Sequence, residues 1–473
     1  MATGERTIIV GGGLAGLAAA VALAARGVRL TILESRPRLG GRAGSFLDRE
    51  TGETIDNCQH VAMGCCTNFR HFCETVGIDA FFRRQQALFF VGPNGTIDRF
   101  AASRWPAPFH LLSAFRSLSY LSSSDRRSLA RGIRALAKHK PGANDQESFA
   151  DWLARHAQPE NVIGRFWHVL LVSALSESLD RIDVSSARQV VVDGFLTNRH
   201  GWEVDIPSVP LDDLYGERIT DWLTARNVEI RLQAGVQRLI ETDGEITAVE
   251  LRDGAQLPAS QVILAVPHHR VASLLPESLC DEQSIRDVAR FESAPISSVH
   301  LWFDRPITPL PHAVFVDRLS QWMFDRTALQ QEQQAEEGTT RGLHYYQVII
   351  SASRNLKEMS QAEIITAVVA DLADVWPVAA EASLAHSRVV TEHQAVFSVL
   401  PGAEQFRPPQ QTSIGNLQLA GDWTRTGWPS TMEGAVRSGY LAAENVLANL
   451  DRPERLVQPD LPKTLLSKLL LGL

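Results

Sequence analysis

Thr7-Ile8-Ile9-Val10-Gly11-Gly12-Gly13-Leu14-Ala15-Gly16 passes from a β-branched apolar run straight into three consecutive glycines. The run reads as a short buried strand and the glycines as a tight turn. Leu14 to Arg26 then has the composition of a helix that ends at Gly27, and Val28 to Leu33 reads as a second strand that closes on Glu34. Strand, G-x-G-x-x-G turn, helix, strand and acidic residue in this order predict a βαβ dinucleotide site. Gly11 allows the turn, Gly13 lets backbone amides approach a pyrophosphate, and Gly16 lets the helix pack close to the strand. Glu34 stands where a carboxylate accepts hydrogen bonds from an adenosine ribose. Ile8 to Ala25 is uncharged over ~18 residues, the length of a minimal membrane span, and its Ala-x-Ala triplets resemble a signal cleavage site. Three glycines near the start would break such an apolar helix, so the nucleotide turn is the better reading.

At 473 residues the chain is long for one core, and two interleaved domains are expected. Hydrophobic content of 44% and charged content of 21% describe a folded protein, and a net charge of -8 gives no reason to expect nucleic acid as a partner. Five cysteines, Cys58, Cys65, Cys66, Cys73 and Cys280, form no C-x-x-C pair. That argues against a disulfide framework and a zinc site, so no metal is expected, and it suits a reducing compartment. Cys73 lies with Phe69, Phe72 and Val76 on one face of a helix over Asn68 to Val76.

Ser35-Arg36-Pro37-Arg38-Leu39-Gly40-Gly41-Arg42 follows Glu34 directly. Gly40-Gly41 lets the backbone pass close to a ligand, with Arg42 placed to meet a phosphate or a flavin edge. From Val228 the chain reads as strands around two turns, Asp243-Gly244 and Asp253-Gly254, and then Gln261 to Pro267. Near the end come Ala420-Gly421-Asp422, then Thr431-Met432-Glu433-Gly434-Ala435 opening a helix through Leu450. A helix start there presents free N–H groups and partial positive charge, which favour negative charge on a ligand.

These separated segments resemble the flavin-containing amine oxidase and phytoene desaturase superfamily. The resemblance implies an α/β fold: a Rossmann-type FAD-binding domain of the amine oxidase and glutathione reductase-like kind, interleaved with a mixed α+β substrate (cap) domain. It places 1–90, 221–294 and 386–450 in the discontinuous FAD domain, 91–220 and 295–385 in the cap, and 451–473 in a C-terminal tail. It implies FAD as cofactor, with contacts at Gly11, Gly13, Leu14, Ala15, Gly16, Glu34, Ser35, Gly40, Gly41, Arg42, Val236, Gly421, Asp422, Thr431, Met432 and Ala435. Val236 reads equally as a core valine. In the cap, Val299 to Asp304 and Leu343 to Ser351 read as strands, 330–340 as a solvated loop, and Ser360 to Glu363 as a capping box opening a helix to Trp376.

A finer resemblance is to the squalene-associated branch, the hydroxysqualene dehydroxylases of hopanoid-making bacteria. It is carried by Asp56-Asn57-Cys58-Gln59-His60 with Gly64, by Trp105 to Leu112, Phe166 to Ser176 and Ile206 to Leu214, and by Gln321-Trp322-Met323-Phe324-Asp325-Arg326. Cys58 departs from the pattern, which has glycine there. The branch implies reductive loss of an allylic hydroxyl from hydroxysqualene, with hydride from reduced flavin N5 and a flavin reductant from outside the chain. His60 and Asp56 are the titratable candidates for the acid, and Gln59 the candidate to orient the hydroxyl. A carotenoid-type desaturase or isomerase is the enzyme alternative, and a prenyl-lipid carrier of the GDP-dissociation-inhibitor kind, without FAD, is the non-catalytic one. An amine oxidase fits less well, because Thr431 stands where the second aromatic of a pair belongs.

Around thirty carbons at ~0.8 kcal/mol per methylene favour an apolar environment by roughly 20 kcal/mol at most. The substrate is therefore expected to arrive from a membrane, or by handover from the preceding synthase. Arg99 to Lys140 holds nine Lys or Arg against one acidic residue, Asp125, interleaved with aromatic and leucine side chains. It reads either as a membrane-interface segment or as a solvated basic face. The apolar C-terminus, Leu461 to Leu473, either rests on a membrane or covers the protein's own surface. The location implied is the bacterial cytoplasm, peripheral on the inner face of the cytoplasmic membrane.

Overall fold

The computed structural model describes residues 6–140, 142, 146–280, 282–331 and 342–472. Its first sheet has five parallel strands in the spatial order Glu229–Arg231, Leu30–Leu33, Thr7–Val10, Gln261–Leu264 and Leu417–Leu419. Strands from the beginning, middle and end of the chain thus lie side by side. Buried parallel strands need apolar residues on both faces, and the three central ones are buried at every position. Helix Leu14–Ala24 follows the glycine turn with every residue buried. An apolar helix with no polar face is a core helix, and it lies between the sheet and helix Met432–Asn449.

Gly439 of the last long helix makes that contact possible. A Cβ there would lie 2.2 Å from the carbonyl oxygen of Ala15 and 2.9 Å from the nitrogen of Ala19. The two helices touch backbone to backbone.

The segment after Glu229–Arg231 forms a three-stranded antiparallel sheet, Val236–Thr242, Glu245–Leu251 and Gln256–Pro258, around the two expected Asp-Gly turns. Asp243 at φ 53° and Gly244 at φ 83° take the left-handed backbone that such a turn requires. Helix Thr67–Val76 buries Phe69, Phe72 and Cys73 and ends at Gly77.

The cap is built on a seven-stranded sheet, in the order Leu384–Phe397, Ser293–Phe303, His344–Ser351, Trp322–Asp325, His312–Phe315, Leu88–Val91 and Ile97–Phe100. Helix Gln361–Val375, opened by the Ser360 and Glu363 capping box, packs on it. Two of these strands shift the expected boundaries at 90 and 386. Leu88–Val91 and Leu384–Phe397 find their hydrogen-bond partners in cap strands, although the family resemblance places most of both with the nucleotide domain. Val204–Pro207, expected in the cap, pairs with Ala62–Met63 and Phe82–Gln85 and ties the two units together. Of the expected loop at 330–340, the start belongs to helix Arg326–Gln331 and the rest lies outside the described residues.

Gly to Ala inside a helix ordinarily stabilises by up to ~1 kcal/mol. At Gly439 the sign reverses, because the obstructing atoms are backbone. Gly439→Ala is expected to destabilise by about 1–3 kcal/mol in urea unfolding. Gly415→Ala, where a Cβ meets nothing within 4 Å, should stay within ~0.5 kcal/mol of the parent.

Candidate active site

The glycine turn builds the floor of a long cleft. Gly11 sits at φ 111°, and a Cβ there would be 2.3 Å from the carbonyl oxygen of Ala265. Gly16 presses on the turn itself, since its Cβ would fall 2.0 Å from the carbonyl oxygen of Gly11. Gly13 differs: its Cβ would meet nothing nearer than Gly41 Cα at 3.9 Å, so its lack of a side chain leaves open space at the helix start. Gly13 is also the N-cap of helix Leu14–Ala24 and supplies no side-chain cap. The first-turn N–H groups are therefore left to an anion, and Leu14 and Ala15 line the cleft.

Glu34 is held beside them. Its Oε2 accepts the Gly12 N–H at 2.7 Å, and its Oε1 accepts the Arg36 N–H at 2.8 Å and the Ser35 hydroxyl at 3.2 Å. The Gly12 carbonyl takes the Gly40 N–H at 2.8 Å, which brings the second glycine pair against the first. The Ala234 N–H donates to the Glu34 carbonyl at 2.8 Å and carries Val236 to the same cleft. Val236 is both a core valine and a lining residue, which joins its two readings.

Arg42 crosses to the C-terminal segment. Its Nη2 donates to Asp422 Oδ1 at 2.6 Å and its Nη1 to the Ala395 carbonyl at 2.8 Å. The Ser430 hydroxyl donates to Asp422 Oδ2 at 2.5 Å. Burial opposes the charged carboxylate, but Arg42 and Ser430 outweigh it and hold Asp422 below the usual carboxylate range. Arg42 keeps 34% of its side-chain surface because it faces the cleft. Gly421 takes φ 150° under the Trp423 indole, and its N–H donates to Ser438 of the last long helix at 2.8 Å. Thr431 caps that helix by accepting the Gly434 N–H at 3.1 Å, and Met432 and Ala435 line the cleft with it.

Glu433 has a different partner set. It accepts from the Asn68 and Phe69 N–H groups at 3.2 and 2.8 Å and from Arg437 Nε at 2.6 Å. It caps the start of helix Thr67–Val76 from another element, a role invisible in the sequence.

The loop Asp56 to His60 divides into a buried support and a part that lines the cleft. Asp56 is not brought to the cleft. Its Oδ1 accepts from Ser45 and the Leu211 N–H, its Oδ2 faces Arg326 at 3.3 Å, and both ions are 2% exposed. That corrects the expectation of a catalytic acid: the carboxylate is engaged on every side by fixed donors. Arg326 also donates to Gln59 Oε1 at 2.8 Å and to the Pro207 carbonyl at 3.0 Å, so it fixes the loop from beneath. Arg326 was part of the branch motif, but its place under this loop needed the fold. Cys58 takes no positive φ, so the departure from glycine bends no backbone, and burial pushes its thiol up to about 12.

Gln59 and His60 do line the cleft. His60 Nδ1 lies 2.9 Å from the Cys58 carbonyl, and since a carbonyl only accepts, Nδ1 carries the proton. Burial lowers the His60 pKa below the usual histidine value, and the Arg42 charge acts in the same direction. The ring is therefore neutral at pH 7, and Nε2 is a lone-pair acceptor with no bond to a described residue.

Beyond this loop the cleft becomes an apolar corridor within one cavity of about 640 Å3. Its walls are Val169, Leu170 and Ala174 on one side, Trp322, Phe324 and Ile349 of the cap sheet on another, and Val190 and Phe195 on a third. Gly13, Arg42 and Asp422 thus share one cavity with a greasy extension.

The donor set fits a dinucleotide flavin: an uncapped helix start over an open glycine floor, a carboxylate at the ribose position, and a second helix start at Thr431. A 15-cis-phytoene desaturase of Solanum lycopersicum is 24% identical over 94% of this chain and 78% of its own length. A hydroxysqualene dehydroxylase of Zymomonas mobilis is 26% identical over 94% of this chain and 99% of its own. An oxidoreductase from Methanosarcina mazei, a solved structure, shares the fold with a TM-score of 0.70 at 18% identity, over 92% of this chain and 99% of that one. Residues 14–447 match the family described as flavin containing amine oxidoreductase, a span that runs from the first glycine helix into the last long one and takes in the whole cap sheet and four of the five strands of the parallel sheet. The chain belongs to that family, and its cofactor is FAD.

Proposed function

We propose that this FAD-dependent oxidoreductase removes the allylic hydroxyl of hydroxysqualene to give squalene. The observation that carries the reading is the junction at Gln59 and His60, where two polar side chains meet a mostly apolar corridor leading to the cofactor cleft, with Ser173, Ser176, Gln189 and Ser351 as further polar lining. Much of that corridor is built from the segments that resemble the squalene-associated branch: Phe166 to Ser176 supplies Val169, Leu170 and Ala174, and Gln321 to Arg326 supplies Trp322 and Phe324. The hydroxysqualene dehydroxylase of Zymomonas mobilis, similar along nearly its whole length, supports the same substrate class.

Bound flavin supplies hydride transfer. The chain's residues supply position and proton handling. The carbinol carbon–oxygen bond breaks, the oxygen leaves with a proton as water, and hydride fills the carbon, so each turnover consumes one hydride and one proton. His60, once protonated at Nε2, would donate that proton to the leaving hydroxyl oxygen, and Gln59, oriented by Arg326, bounds the hydroxyl from the other side. The corridor excludes water from the carbon that bears developing positive charge. For His60 to release a proton to the departing oxygen, Nε2 must first gain one, and burial opposes that.

That opposition favours a second reading, carotenoid-type desaturation, in which a neutral imidazole takes a proton from carbon while hydride leaves for the flavin. The two differ in the sign of their pH dependence. If Nε2–H acts as the acid, kcat/KM rises as pH falls toward the lowered pKa. If neutral Nε2 acts as the base, kcat/KM holds through the usual histidine range and falls only below that pKa.

Chemically reduced holoenzyme is expected to convert hydroxysqualene to squalene without air, and oxidised holoenzyme to leave phytoene unchanged, both read by product mass. Desaturated phytoene with no squalene would replace this reading with the second. His60→Ala that keeps its flavin absorbance should lose ~100-fold in kcat/KM; wild-type turnover would remove His60 from the site. Arg326→Met leaves Asp56 charged and unpaired in the core and is expected to cost about 3–5 kcal/mol in urea unfolding.

A further inference from the structure

Two apolar segments more than 350 residues apart in sequence are tied together on the surface. The Thr464 hydroxyl donates to the Ala107 carbonyl at 3.0 Å, and the Thr464 N–H donates to the Thr197 carbonyl at 3.1 Å. Ser467 bonds to the Leu196 carbonyl at 3.1 Å, and Arg199 to the Trp105 carbonyl at 3.0 Å. Helix Leu465–Leu471 therefore covers the protein with Ser467 and Leu471 and turns its other face outward. On that face Leu465 is 84% and Leu469 81% exposed, and beside it Trp105 is 68% exposed, with Phe109 and Leu112 also open. Singly, such residues are ordinary surface; a tethered cluster of large apolar side chains is not.

Among the described residues, the unpaired charges named around this crest are basic, and the acidic Asp193 beneath it is paired with Lys463 and Arg188. Lys468 is exposed on the C-terminal helix and Arg104 next to Trp105. The C-terminal helix packs against helix Ser123–Lys138, whose Arg127, Arg131, Arg134 and Lys138 recur at helical spacing, all exposed and without an ion pair to a described residue. In a chain of net charge -8 this is a local excess of positive charge. Beneath the crest lies Gln189–Leu196, whose Gly194 and Phe195 line the substrate cavity while its end anchors the C-terminal helix.

We infer that Trp105, Phe109 and Leu112, with Leu465, Leu469 and Leu470, form one docking surface for an anionic lipid bilayer, placed over the cavity wall at Gly194–Phe195. The apolar side chains enter the acyl boundary while the basic helix meets the headgroups. Among the described residues no helix is long and apolar enough to cross a membrane, and the contact inferred is peripheral. The role in substrate entry rests on the apolar-substrate reading given above; the docking itself does not.

The test is cosedimentation of flavin-loaded full-length protein with phosphatidylglycerol-containing vesicles and with phosphatidylcholine vesicles, at low and high salt. Binding to the anionic vesicles, weakened at least ~10-fold by salt, is expected. Trp105→Ser with Phe109→Ser, and separately Leu465→Ser with Leu469→Ser, should each lower it ~10-fold or more while flavin content and thermal unfolding stay at parent values. No binding to anionic vesicles, or equal binding by parent and both variants, would overturn the inference. So would a dimer in lipid-free buffer that the variants dissociate without loss of vesicle binding. Vesicle binding with no turnover of hydroxysqualene leaves the docking surface standing and counts against the proposed substrate alone.

Discussion

The fold depends on the backbone contact between the first helix and the last long one. With Gly439 against the Ala15 carbonyl, helix Met432–Asn449 lies directly on helix Leu14–Ala24, and everything attached to it follows. Ser438, one residue earlier, receives the Gly421 N–H, which sets the turn carrying Asp422. Thr431, at the other end of the first turns, points the helix start at the cleft. A side chain at position 439 would push these groups away from the glycine floor together. The cofactor site is thus a product of helix packing as much as of its own residues.

Around that contact, buried charge sets the shape of the loops. Asp422 is shared between Arg42 and Ser430, Asp56 is held by Arg326, and Glu433 caps a neighbouring helix. Each is a carboxylate fixed by protein donors, which keeps its charge compensated and limits its motion. In the loop beside the corridor, His60 is the exception, since one ring nitrogen is committed to a carbonyl and the other has no partner among the described residues. A neutral acceptor at the edge of an apolar corridor interacts strongly with a hydroxyl, because little water competes for it.

The cap carries the opposite chemistry. Its seven-stranded sheet presents Trp322, Phe324 and Ile349 to the corridor, while Phe303, Val348 and other alternate positions pack against helix Gln361–Val375. Period-two alternation lets one sheet form a core on one face and a substrate wall on the other. The two strands at 88–91 and 384–397 join the cap sheet to chain segments of the nucleotide unit, so wall and cofactor cleft are held in one frame.

The glycine turn, the buried helix, the Asp-Gly hairpins and the Ser360 capping box were legible in the sequence because each is a local event, decided by steric freedom or by a hydrogen bond a few residues away. Glu34 could be named in advance from its place at the end of the second strand of the motif, Arg42 and Asp422 from the glycines just before them and the family resemblance, and the three do meet in one cavity. The roles of Asp56, Arg326 and Glu433 were not legible. Their partners lie 270 residues away for Asp56 with Arg326 and 364 or 365 for Glu433 with the start of helix Thr67–Val76, and nothing in a carboxylate's neighbours says which cation or helix start it will meet. His60 shows the division most plainly. Its presence at the family loop was a matter of sequence, but its tautomer and neutrality come from the Cys58 carbonyl and from burial, which only the packed tertiary structure supplies.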